Sequence, residues 1–264
     1  MPFIDITDVT HTYGGQAGST ATLAVEGLTI KVNEGEFSAV VGPSGCGKST
    51  LMKLATGLQF PQKGAVVVDG AKVTKPVKIA GMAFQNPVML PWRTVLDNIM
   101  LPLEIVEPHR TQLRSKKAEY VEKAEQLLAT VGLKGLGQKF PWQLSGGMQQ
   151  RASLCRSLIH DPKLLMLDEP FGALDAFTRE ELWCVIRDLH ALKKFTVVLV
   201  THDLREAVFL GDRIFCMSAR PGRIVAEREV GFPRPRDLEV TYSHEFADIV
   251  HDLRALIKDA RTAA

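Results

Sequence analysis

The sequence predicts an α/β protein in which an antiparallel β segment precedes a phosphate-binding core, and a helical subdomain interrupts that core. Three observations carry this. Apolar and polar residues alternate over 3–13 and 22–32, the pattern of half-buried strands. A glycine-rich loop at 42–49 sits between an apolar run at 37–41 and a helical stretch at 49–58. From 94 to about 160 the periodicity is helical, and β-rich apolar runs return at 164–167 and 196–200.

In chain order, the two N-terminal strands flank a turn containing Gly14, Gly15 and Gly18. The start lacks a basic region followed by an apolar one, so it reads as a strand and not as a signal peptide. Strand 37–41 ends at Gly42, and 65–69 and 79–84 read as further strands. In the helical part, Ala118, Val121, Ala124, Leu127, Leu128 and Val131 recur at three- and four-residue steps, which makes an amphipathic stripe. The runs at 164–167 and 196–200 suit buried parallel strands, with a helix at 177–193 between them. A linker rich in Pro and Arg follows at 232–237. Phe246, Ile249, Val250, Leu253, Leu256 and Ile257 then form a closing amphipathic helix. That helix covers apolar surface or, alternatively, receives a partner.

Composition narrows the function classes. The 264 residues are 45% hydrophobic and 23% charged, ordinary for a globular protein of one large or two small domains. A net charge of +2 gives no basic field for nucleic acid. No apolar run approaches the roughly 20 residues needed to span a bilayer. Cys46, Cys155, Cys184 and Cys216 are scattered, without C-x-x-C or a disulfide framework, and read as reduced thiols.

Gly42-Pro43-Ser44-Gly45-Cys46-Gly47-Lys48-Ser49 fits G-x-x-x-x-G-K-[ST]. Its glycines let the backbone curl so that successive N–H groups point at phosphate oxygens. The helix starting near Gly47 adds the positive end of its dipole. Lys48 suits the β- and γ-phosphates, and the Ser49 hydroxyl suits Mg2+. The loop extends to Thr50 and marks a nucleotide-binding protein.

Two further motifs restrict the chemistry. The apolar run 164–167 ends in Asp168 and Glu169. A carboxylate at a strand's carboxyl end can hold Mg2+ beside a phosphate loop, the role assigned to Asp168. Glu169 is the candidate general base toward an attacking water. Leu144-Ser145-Gly146-Gly147-Met148 opens a helical segment, with Ser145 as its cap and two glycines exposing backbone N–H groups. One chain needs no second γ-phosphate site, so this one suggests action on the nucleotide of another chain.

On these motifs the chain resembles the ATP-binding-cassette (ABC) ATPases over nearly its whole length. LSGGM is similar to the family signature LSGGQ, with Met148 in place of Gln. The resemblance implies a P-loop NTPase core with an N-terminal antiparallel β subdomain and an inserted helical subdomain. Residues 1–230 would form the ABC ATPase domain, with a helical subdomain at about 86–160 inserted in the α/β core, and 231–264 the C-terminal linker and helix. It further implies that Tyr13 stacks on adenine and that Gln85 touches Mg2+ and the attacking water. Gly172-Ala173-Leu174-Asp175 resembles the D-loop, and His202 the histidine that contacts the γ-phosphate. Singly, Tyr13 also reads as a strand aromatic, Gln85 as a surface amide and His202 as a helix cap; six elements in one fixed order favour the family.

Residues 85–99, and LPWRTVLDN within them, resemble the nitrate/sulfonate/taurine importer group, as do 217–224 and Arg234-Pro235-Arg236. The implied protein uses ATP and Mg2+. It pairs with a second copy of itself and with integral-membrane permease subunits at the cytoplasmic face of the membrane. It serves an external solute-binding protein indirectly. The alternatives are a lipid or drug export cassette, and a DNA- or ribosome-associated ABC ATPase. The latter is disfavoured by the lack of heptads between loop and signature, by a single cassette, and by the net charge.

Overall fold

The structure, a computed structural model, describes residues 1–14, 21–172 and 174–262. Gly15, Gly18 and Ala173 of the expected turns therefore lie outside the described residues. The chain forms two compact units, one of residues 1–77 with 191–264 and one of residues 78–190.

The first unit begins with β1 (Ile4–Tyr13), β2 (Thr22–Val32), β3 (Phe37–Val41), α1 (Lys48–Ala55), β4 (Lys63–Val68) and β5 (Ala71–Lys72). The second contains β6 (Ala80–Ala83), α2 (Val95–Met100), α3 (His109–Gln112), α4 (Lys117–Thr130), α5 (Gly146–Leu158), β7 (Leu164–Asp168) and most of α6 (Ala176–Lys193). The chain then returns to the first unit with β8 (Thr196–Thr201), α7 (Leu204–Leu210), β9 (Arg213–Met217), β10 (Ile224–Glu229) and α8 (His244–Thr262).

In the first unit, an antiparallel sheet runs β2-β1-β4-β5. Its register places Ile4 opposite Val32 and Ile6 opposite Ile30, so the alternating apolar residues share one buried face. Strand β3 lies parallel to β8 and β9, and β10 adds antiparallel to β9. Every residue of β3 and β8 is buried, which is why both read as unbroken apolar runs. In α8, Phe246, Ile249 and Leu253 are buried, whereas Val250 and Ile257 are half-buried and Leu256 is exposed, so the expected apolar face is covered only in part.

The linker 232–237 is more firmly held than its composition suggests. Arg236 is 2% exposed. Its Nη1 donates to the carbonyls of Val208, Phe209 and Gly211 at 3.0, 2.9 and 2.7 Å, and Nη2 donates to Val230 at 3.3 Å. The first three lie at the C-terminal end of α7, where helix carbonyls lack intrahelical partners. Burial lowers the Arg236 pKa to about 10, yet the group remains a cation at neutral pH.

In the second unit, β6 and β7 pair in parallel, Ala80 with Leu164 through Ala83 with Leu167. The α4 stripe differs from expectation at its start. Ala118 is exposed, and Tyr120 leads a buried row with Ala124, Leu127, Leu128 and Val131. Position 118 lies about 200° around the helix from position 120, so it faces away from that row. Thr94 caps α2 by accepting from the Asp97 N–H at 3.1 Å. Among the described residues, no helix is long and apolar enough to cross a membrane. The four cysteines are free thiols.

Candidate functional site

The nucleotide-binding features of the first unit start at the end of β3. Gly42 leaves the strand where an added Cβ would stand 2.8 Å from the Met217 carbonyl. Gly47, at φ +99°, forms the N-cap of α1, and a Cβ there would stand 2.7 Å from Val25 Cγ1. These two positions need glycine for space, and Gly47 also for its left-handed backbone. The Lys48 Nζ donates to the carbonyls of Gly42 and Pro43, both at 2.9 Å, which fixes the cation at the head of the loop. Cys46 is buried within the loop, and burial raises its pKa. Ser49 is exposed in the first turn of α1.

The turn after β9 backs this loop. Gly222 N–H donates to the Ala24 carbonyl at 2.9 Å, and Glu26 N–H to the Gly222 carbonyl at 3.1 Å. A Cβ on Gly222 would collide with the Cys46 carbonyl. Arg220 Nη2 lies 3.0 Å from where a Gly45 Cβ would stand. The sequence singled out 217–224 only as a family-like segment; its contact with the phosphate loop was not foreseen.

Tyr13 ends β1 half-buried. Its hydroxyl lies 3.3 Å from Thr50 Oγ1, and its ring meets His11 edge-on at 4.8 Å. The tyrosine is thereby positioned against the helix that follows the phosphate loop. His202 is exposed in the turn after β8. The cap of α7 is Asp203, whose carboxylate accepts the N–H groups of Arg205 and Glu206 at 2.8 and 3.4 Å. His202 therefore does not serve as the helix cap.

The second unit brings Gln85, Asp168 and Glu169 to the carboxyl ends of β6 and β7. Gln85 Nε2 donates to Glu169 Oε2 at 3.1 Å. Glu169 adopts φ +47°, a left-handed conformation that costs a non-glycine residue about 1–2 kcal/mol. Gln150, 4% exposed on α5, donates its amide to the carbonyls of Gln85 at 3.4 Å and Glu169 at 3.3 Å. It ties these two backbones together, a role that sequence reading missed. The clue was a long amide on a helix face that otherwise buries only small or apolar side chains.

Ser145 caps α5 as expected, its Oγ accepting the Met148 N–H at 3.3 Å. Ser145 and Gly146 are exposed and Gly147 half-buried. An added Cβ on Gly146 would meet nothing within 4 Å, so an incoming group has room there. Phe140 and Trp142 stack with centroids 4.6 Å apart just before this turn. Asp175 accepts the Thr178 N–H at 3.1 Å, and that bond lowers its pKa.

The ABC transporter family matches residues 25–172, more than half of the chain. The chain belongs to this family. Relatives within the ABC transporter family include the aliphatic sulfonates import ATP-binding protein SsuB of a Bacillus cereus strain, 40% identical. That match covers 89% of this chain and 90% of the relative. SsuB 2 of Agrobacterium fabrum is 42% identical, over 93% and 88%. Among solved structures, the dimeric ATP-binding cassette MJ0796 bound to ADP and Pi aligns with a TM-score of 0.75 and 31% identity. The alignment covers 87% of this chain and all of that one. This ABC transporter chain is an ATP hydrolase.

Proposed function

We propose that the chain is the ATPase subunit powering import of a small anionic solute of the sulfonate, taurine or nitrate type. The phosphate loop carries the ATPase part of this reading: two sterically required glycines, with the Lys48 ammonium fixed at the loop's head. The names of the relatives, aliphatic sulfonates import ATP-binding proteins, support the import role.

The roles follow the chemistry of the side chains. Lys48 and the N–H groups from Gly42 to Thr50 bind the phosphates of ATP, and Tyr13 stacks on its adenine. Ser49, Gln85 and Asp168 supply hydroxyl, amide and carboxylate oxygens, a hard donor set that fits Mg2+. Mg2+, when bound, neutralises charge on the phosphates. Glu169 accepts the proton of the attacking water, and Gln85 holds the carboxylate that does so. His202 donates to the transferring phosphoryl group.

Ser145, Gly146 and Gly147 close over the ATP of a second copy, and Asp175 meets that copy as well. The dimeric cassettes among the solved structures support that pairing. The helical segment 86–160 receives the membrane permease, which places the subunit peripherally at the cytoplasmic face of the membrane. Val88 and Trp92, 64% and 72% exposed, offer an apolar contact there. An external solute-binding protein acts through that permease.

Paired mutants test the assignment. Lys48→Ala should abolish ATP binding, whereas Glu169→Gln should retain binding and stop turnover. Equal loss of ATP affinity in both would refute these roles.

A further inference from the structure

Helix α8 has a second stripe besides its core face. Val250, Arg254, Ile257 and Lys258 follow one another at steps of four, three and one, on one side of the helix. Val250 and Ile257 are half-buried, and Arg254 and Lys258 are exposed. This stripe walls a cavity of about 770 Å³ whose other lining is Gly42, Pro43 and Ser44 together with the segment from His202 to Arg205.

The cavity adjoins the phosphate cradle without coinciding with it. It shares Gly42, Pro43 and Ser44 with the loop, whereas Gly45, Cys46, Gly47, Lys48 and Ser49 are not part of its lining. Its charge is cationic, with Arg205, Arg254 and Lys258 against the single carboxylate of Asp203. That carboxylate already accepts two backbone N–H groups. Among the described residues, neither Arg205 nor Arg254 pairs with a carboxylate. Leu204, Val250 and Ile257 give the same cavity an aliphatic wall. Its volume falls within the range of small-molecule sites, about 300–1,000 Å³. A bare inorganic anion would leave most of that space and the aliphatic wall unused.

We propose that this cavity is a second ligand site, for a small organic anion with an oxyanionic head and a short aliphatic body. Arg254 and Lys258 hold the head, and Val250 and Ile257 cover the body. The proposal builds on the ATP-hydrolysis reading, because two walls come from the leading edge of the phosphate loop and from His202. An occupant would stand beside the group assigned to the γ-phosphate.

The test uses the full chain saturated with ADP and Mg2+, so that the phosphate loop is filled. Hexanesulfonate is titrated in by calorimetry, with sulfate and hexanol as head-only and body-only probes. Saturable one-to-one binding of hexanesulfonate is expected, with each control at least about tenfold weaker. The Arg254→Ser/Lys258→Ser variant should bind it at least about tenfold more weakly, and so should Ile257→Ser, while ADP affinity stays within about twofold. The proposal is overturned if the wild-type chain shows no saturable binding, or if sulfate binds as tightly as hexanesulfonate. It is also overturned if the charge variant binds like wild type. ADP affinity is read independently, so failure of the wild-type chain to bind ADP would count against the nucleotide reading instead.

Discussion

Replacing Gln150 with Leu probes the link between α5 and the Glu169 carboxylate. The substitution keeps the approximate volume of a 4%-exposed side chain and removes its amide. The two bonds lost are 3.4 and 3.3 Å long, so each lies toward the low end of the usual net range of roughly 0.5–1.5 kcal/mol. Gln85 is exposed and can turn to water, whereas Glu169 is half-buried and its carbonyl falls back on the Gly172 N–H at 3.3 Å. The sum is about 1–2 kcal/mol, or a fall in Tm of about 2–8 °C for a chain of this size. Turnover should fall further than stability alone explains. Glu169 sits at φ +47° and stays there because its surroundings hold it. Losing about 1.4 kcal/mol of restraint would make the productive carboxylate geometry about tenfold rarer, and kcat should fall about tenfold. ATP affinity should hold within about twofold, because Lys48 and its loop are untouched. Calorimetric Tm, nucleotide titration and phosphate-release kinetics give the three readouts. A kcat within twofold of wild type, alongside the expected drop in Tm, would show that Gln150 is packing alone and refute the positioning argument.

Three further outcomes are expected. Mixing Lys48→Ala and Ser145→Arg chains should restore partial ATPase activity that neither shows alone; mixed dimers that form and stay inactive would count against sharing of the site between copies or against turnover at a single site. Trp92→Glu should leave Tm and ATP binding unchanged and reduce permease pull-down, since the ring is 72% exposed, and an equal loss of stability would place it in the core. Arg236→Met should lower Tm by about 4 °C or more, because it strips three carbonyls at the end of α7 and its cap of a buried donor at about 1 kcal/mol or more each; a shift under 2 °C would mean that the cost of burying the cation cancels its bonds.

Much of the fold was legible because the responsible forces are local. The alternation in β1 and β2, the apolar runs of β3, β7 and β8, and the Ser145 cap all sit within a few residues of the motifs that mark them. The phosphate loop could be read for the same reason: its spacing is its mechanism. What sequence did not reveal depends on distant partners. Gln150 joins backbones that lie 65 and 19 residues away. Gly222 matters because Cys46 approaches it across the chain, and no periodicity encodes that. The α4 stripe was misjudged at Ala118 because a small apolar side chain is cheap to expose, while Tyr120 has much more surface to bury.

The guanidinium of Arg236 also decides where this polypeptide can be shortened. Composition suggests a cut near residue 231, ahead of the Pro- and Arg-rich stretch. Such a cut would take away the donor that terminates α7, the helix that starts just after His202 and its neighbouring cap Asp203. A chain ending at 230 would thus lose more than a tail: the helix following the histidine would end in bare carbonyls. A chain ending just after Arg236 would keep that termination while discarding α8. Comparing the two truncations separates what the arginine contributes from what the closing helix contributes.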